Sequence, residues 1–367
     1  MTLGPYMKLY LKMPTVLFGY YLACCRWFIN QFLVSPLRVH AMEAADFIVV
    51  PAMFHTGHYA LFQEFVNNAQ SMLPLLGQKP HVLVLKHPLQ LLLDAHRGAI
   101  TLSIMSKFTL VASNNYVRGA NMIPTNLVGA PNFQPNQWHQ GAHEYRQSFD
   151  PLIVQQKKHK LMTASFGVGH GVAGKFRSFV RDECTQADQL CHFVSIDKDV
   201  DLVTIVDNMA ASWYTLVVPG DWMTRSVTYQ AVIAGSLLVV FEDDYMLHMP
   251  FRDLIDYSKF VIRFSYNSTD FHQQTSFTDS LQQNFDMDVA LDQLEYMFNI
   301  RHVFQYSLNP DHKQITYSQK EVVSPWDDAF TFTIKALLRS FCKQMLLDRH
   351  KCNPVKAAVY SHRTVAF

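Results

Sequence analysis

The chain has no excess of charge of either sign: 31 Lys and Arg against 30 Asp and Glu leave a net charge of +1 over 367 residues. That balance excludes the extended basic footprint of a nucleic-acid-binding surface. Charge of any kind is scarce, at 17%, while apolar residues make up 49%, so the interior is large relative to the surface. The six cysteines include no CxxC pair. This excludes a zinc ribbon and leaves buried thiols or disulfides, with Cys184 and Cys191 as a candidate pair. No HExxH motif, internal repeat or low-complexity tract is present. The apolar run from Met13 to Val34 has spanning length, but Arg26, Asn30 and Gln31 interrupt it. A core-packed amphipathic helix is expected there, and any membrane anchor at or beyond the amino terminus.

What the chain does have is alternation. A length of 367 residues exceeds one ordinary core and favours two domains. In the first half, Phe47 to Val50 is a continuous apolar run closed by Pro51, the pattern of a strand buried on both faces. A helix follows from about Tyr59 to Leu73, then strands at 81–85 and 109–113. Residues 119–140, rich in Asn, Pro, Gly and Gln, read as loop or linker. In the second half, strands are expected at 160–166, 191–197, 213–218, 236–241 and 260–264. Helices are expected between them from about Lys175 to Cys184 and from about Thr224 to Ala234. Strands alternating with helices give α/β halves with parallel sheets. The expected layout is an N-terminal Rossmann-like domain over 1–150 and a second Rossmann-like domain over 151–325. A C-terminal helix and tail occupy 326–367, and the two domains face a cleft.

The densest stretch is "VVPGDWMTRSVTYQAVIAGSLLVVFEDD", residues 217–244. Pro219 and Gly220 end a strand and turn the chain, with Asp221 next. Thr224 is the expected N-cap of a helix whose Val227, Ala231 and Ala234 share one face. The amides of that helix start, with Arg225 beside them, make an anion site suited to a diphosphate. The plain alternative is a turn with a solvated arginine.

The segment from Ser212 to Phe264 is similar to the signature of the exostosin family of glycosyltransferases. Ser212, Tyr214, Leu216, Pro219, Gly220 and Arg225 fall in the family's order. "AVIAG" at 231–235, Val239, Pro250, Phe251 and Tyr257 follow. "EAADFIVVP" at 43–51 and "KLMTASFG" at 160–167, ending on Gly167, also resemble family segments, as does Arg177 before Cys184. The resemblance spans roughly 40–340. It implies a GT-B type fold, a UDP-sugar donor and inverting transfer to a hydroxyl of a polysaccharide or protein-linked glycan. It further implies a type II membrane protein of the Golgi lumen, acting alone or as a homo- or hetero-oligomer. The donor residues it points to are Gly167, Arg177, Ser212, Pro219, Gly220, Asp221, Thr224, Arg225, Gln230 and Glu242. At Gln230 the family carries an acid, and Gln offers one acceptor oxygen where a carboxylate could take both ribose hydroxyls. Pro80 replaces the acid of the family's Gly-Arg-Asp-His run. These two departures support an alternative, a noncatalytic saccharide-binding or partner subunit.

Three other constellations carry chemistry. "GHGVAG" at 169–174 matches GxGxxG after a strand, with Asp197 ending the next one, and supports a nucleotide-cofactor oxidoreductase as a further alternative. The preferred reading is a glycine-rich loop beside the nucleotide. His55, His58 and His81 (with His87) are the candidates for the base that takes the acceptor proton, because imidazole titrates near neutral pH. "EDD" at 242–244 has the wrong spacing for a DxD metal motif, and fixed donors beside the diphosphate make a metal or other cofactor unnecessary. Catalysis is therefore expected to survive chelation.

Overall fold

The computed structural model describes residues 9–11, 39–51, 59–85, 106–112, 127–129, 149–167, 171–196, 200–220, 225–264, 276–304, 329–344, 346 and 352. The helix expected over 13–34 lies outside them. The chain forms two compact units, Met1–Phe133 with Tyr306–Phe367, and Gln134–Gln305.

The first unit is built on a parallel sheet of β1 (Leu9–Leu11), β2 (Phe47–Pro51), β3 (His81–Leu85), β4 (Phe108–Ala112) and β5 (Leu127–Gly129), in that spatial order. Phe47 through Val50 are all fully buried, as a strand covered on both faces requires. Helix α1 (Tyr59–Met72) joins β2 to β3, burying Phe65 and Ala69 and exposing Glu64 and Asn68. β5 corrects one expectation. It falls inside the stretch read as linker, where three residues pair with β4 through Leu110, Val111 and Ala112.

The second unit is more regular. Asp150 caps α2 (Pro151–Lys157), accepting hydrogen bonds from the Leu152 and Ile153 amides at 2.9 and 3.3 Å. Then follow β6 (Lys160–Phe166), α3 (Gly171–Gln186), β7 (Cys191–Ser195), α4 (Leu202–Ala210), β8 (Ser212–Val217), α5 (Ser226–Ala234), β9 (Leu237–Val240) and β10 (Val261–Arg263). Two further helices, α6 (Phe277–Gln283) and α7 (Met287–Ile300), close the unit. The sheet is parallel, in the order β10-β9-β8-β6-β7. β8 and β9, in the interior, are buried at every residue, whereas the edges β7 and β10 are partly exposed. The chain then returns to the first unit: α8 (Ala329–Lys343) packs on β5 and sets Phe341 against Phe47, ring centroids 5.5 Å apart. Its buried stripe is Phe330, Ile334, Leu337, Leu338 and Phe341, a 3.6-residue period.

Helix α5 departs from the expected single apolar face. Every residue from Val227 to Ala234 is buried, so neighbours cover all its sides. It ends at Gly235, whose φ of 78° lies in the left-handed region. A Cβ there would sit 2.8 Å from Phe298 Cε2. Phe298 cannot easily yield, because Phe149 packs edge-on at 5.4 Å and the Arg301 guanidinium lies 4.0 Å from its ring. The Lys158 ammonium donates to the Ser212 and Gly235 carbonyls at 2.6 and 2.7 Å, and burial pushes its pKa from 10.5 to about 7. Gly235→Ala should cost about 2–4 kcal/mol, a left-handed penalty plus overpacking. Chemical denaturation measures it. Adding Phe298→Leu should recover the overpacking part alone, and a Gly235→Ala protein as stable as the parent would refute this packing.

Candidate functional site

From β6 the chain crosses through α3 to β7 on one side, then through α4 back past β6 to β8 on the other. The direction of winding therefore reverses between β6 and β8. In open parallel sheets the crevice at such a switch point, beyond the strands' carboxyl ends, is the ligand site. Those two ends are Phe166-Gly167 and Val217-Val218-Pro219-Gly220.

Arg177, in the second turn of α3, spans this point. Its Nε donates to the Pro219 carbonyl at 2.9 Å and its Nη1 to the Gly167 carbonyl at 3.1 Å. Arg225, the N-cap residue of α5, donates from Nη1 to the Val218 carbonyl at 2.9 Å. Both guanidiniums close on Gly220: a Cβ there would meet Arg177 Nη2 at 2.8 Å and Arg225 Nε at 3.0 Å. Glycine is what lets the two cations approach one turn of backbone. These three bonds run to main-chain carbonyls, which hold each guanidinium in place. The first amides of α5 start at the same place and add the positive end of its dipole. Among the residues expected from sequence, Gly167, Arg177, Pro219, Gly220 and Arg225 are thus brought together. Asp221 and Thr224 lie outside the described residues. The N-cap is Arg225 and not Thr224, and it makes no side-chain capping bond.

Other expectations are corrected. Ser212 lies at the amino end of β8, its hydroxyl donating to the Asn208 carbonyl at 2.8 Å. At about 3.3 Å per residue it is some 16 Å from the carboxyl end of its strand, too far for a donor contact there. His81 opens β3 and is fully buried. Its Nδ1 donates to the Lys79 carbonyl at 2.8 Å, its ring meets Phe108 edge-on, and burial lowers its pKa. It packs the amino end of its strand and does not present a base at the carboxyl end. His55 and His58 lie outside the described residues. α3 begins at Gly171, so the second half of "GHGVAG" is helix and not loop, with Gly174 buried. Gln230 is buried in α5, about 6 Å along the axis from its first residue. Of "EDD", Glu242 is partly buried just beyond β9, while Asp243 faces Arg263 at 3.8 Å and Asp244 faces His248 at 3.6 Å.

One pair had no signal in the sequence. Tyr245, in the 3-10 turn Tyr245–His248, hydrogen-bonds through its hydroxyl to Thr228 in the first turn of α5.

Two Rossmann-like α/β units, the second with a cationic switch point, fit the glycosyltransferase class. The chain belongs to the exostosin GT47 family, whose domain model matches residues 21–275. It is 28% identical over 138 residues to a probable xyloglucan galactosyltransferase GT19 of Arabidopsis thaliana. That match takes in 34% of this chain and 32% of the relative, so the chain spans about a third of that curated relative's length. Among solved structures it is similar to a UDP-forming α,α-trehalose-phosphate synthase from Burkholderia vietnamiensis, with a TM-score of 0.42 and 12% identity over 82% of this chain and 74% of that one. It is also similar to WaaG, a glycosyltransferase of lipopolysaccharide biosynthesis, with a TM-score of 0.32 and 11% identity over 80% and 95%. At these scores neither structure bears on the site.

Proposed function

We propose that the chain transfers a sugar from a UDP-sugar to a hydroxyl of a glycan, with inversion at the anomeric carbon. The observation that carries this is the closure of Arg177, Arg225 and the start of α5 on Gly220 at the switch point. In the proposed step the acceptor oxygen attacks the anomeric carbon on the face opposite the nucleotide. Its proton goes to a base, for which His55 and His58 remain the candidates. The bond from that carbon to the diphosphate breaks, and the charge released meets donors already in place. The similarity to a probable xyloglucan galactosyltransferase favours a polysaccharide acceptor. The two disulfides, Cys184–Cys191 and Cys342–Cys352, suit an oxidising compartment such as the Golgi lumen. No described helix is long and apolar enough to cross a membrane.

The deciding experiment incubates the protein with a panel of UDP-sugars and follows release of UDP, with and without oligosaccharide acceptors. Turnover should persist in excess EDTA, because the guanidiniums and helix amides supply the charge that a divalent ion supplies elsewhere. An enzyme silenced by EDTA and restored by manganese would overturn the metal-free step. Gln230 and Pro80 favour the second reading, a subunit that binds a saccharide without turning it over. It would show UDP or glycan binding and no UDP release with any sugar.

A further inference from the structure

The carboxyl end of β9 stands beside that of β8, so the segment following β9 borders the proposed diphosphate position. Tyr245 ties that segment down twice. Its amide donates to the Glu242 carbonyl at 3.2 Å, closing a turn. Its hydroxyl reaches sideways to Thr228 Oγ1, and both side chains are buried. We propose that Tyr245 is a positioning residue: its bond to Thr228 sets the first turn of α5, and with it Arg225, in fixed relation to Glu242 and the donor's phosphates. This rests on the anion site proposed above.

Several features support the assignment. Thr228 is the third residue of α5, and its amide donates to the Arg225 carbonyl at 3.0 Å, so a shift of Thr228 carries Arg225 with it. All of α5 from Val227 to Ala234 is buried, and the hydroxyl pair adds a directional tie at its first turn to that packing. The Tyr245 phenol also lies in the fields of Arg225 and Glu242: burial raises its pKa far above the ordinary range, the Thr228 bond opposes this, Glu242 adds to it and Arg225 opposes it. Further along the same loop, the Tyr257 hydroxyl donates to the Pro250 carbonyl and closes the return to β10.

The test is Tyr245→Phe in the full chain, which keeps the ring and removes the hydroxyl. UDP affinity, read by calorimetry, should fall about three- to tenfold, while the affinity for uridine, read by ligand-observed NMR, stays unchanged. Thr228→Val should have the same effect, and the double variant should bind UDP no worse than either single one. Equal losses for UDP and uridine would reduce the pair to general packing and overturn the assignment. Unchanged UDP affinity would overturn it as well, provided Arg225→Ala weakens UDP in the same assay. If Arg225→Ala leaves UDP affinity intact, the anion site itself is wrong and the assignment falls with it.

Discussion

Alanine in place of Arg225 should weaken UDP binding about ten- to a hundredfold in a chain that still folds. The range follows from about 1.5–3 kcal/mol for hydrogen bonds to charged groups. The stability cost is read separately by denaturation, since Arg225 also holds the Val218 carbonyl. Arg177 differs. Its Nε and Nη1 pin the Pro219 and Gly167 carbonyls, so Arg177→Ala should lose UDP affinity and also destabilise the second unit. Arg177→Lys separates the two roles: it restores a point charge but not the planar fork that reaches both carbonyls at once. A steric variant probes the same convergence with both charges kept. Gly220→Ala puts a methyl 2.8 Å from Arg177 Nη2, so it should reduce UDP affinity by displacing a guanidinium. Calorimetric titration with UDP reads all four variants. A folded Arg225→Ala that binds UDP as the parent does would place the anion site elsewhere.

How much of this site the sequence could yield depends on how local each determinant is. Pro219 and Gly220 announce a strand end in any fold, and Arg225 follows them before a helical run, so the anion-binding turn is legible. Which end of the strand a residue occupies is equally local, but family order alone points to Ser212, and the structure places it at the opposite end of β8. The role of Arg177 needs the strand order. Only when β8 lies beside β6 does α3 come within reach of Pro219, and nothing between residues 177 and 219 encodes that pairing. The face expected on α5 failed for a related reason. Period 3.6 identifies a buried face when one side meets water, and α5 has no such side. β5, at three residues, is too short to outweigh the Asn, Pro and Gly around it. Its strand character comes from pairing with β4. The return of α8 to the first sheet is set by Phe341 on Phe47, nearly 300 residues apart and invisible to any window.

Removing either disulfide should lower the melting temperature of its own unit by about 5–10 °C. The Cys184–Cys191 bridge closes a separation of 7 residues in the second unit, and Cys342–Cys352 one of 10 in the first. Restricting the unfolded chain over loops this short is worth about 2.5 kcal/mol each in the chain-entropy account. For units of this size, 1 kcal/mol moves the melting point by about 2–4 °C. Because the bridges lie in different units, Cys184→Ala/Cys191→Ala should shift one calorimetric transition and Cys342→Ala/Cys352→Ala the other. The first bridge also bears on function. It anchors the end of α3 to the start of β7, and α3 carries Arg177, so its removal should loosen the helix that aims this guanidinium. UDP affinity should accordingly fall modestly in the Cys184→Ala/Cys191→Ala protein and stay unchanged in the Cys342→Ala/Cys352→Ala protein. Mass spectrometry of the native protein after alkylation supplies the check. Free thiols at these four positions, with unchanged melting in the paired variants, would refute the bridges and remove the support they lend to an oxidising compartment.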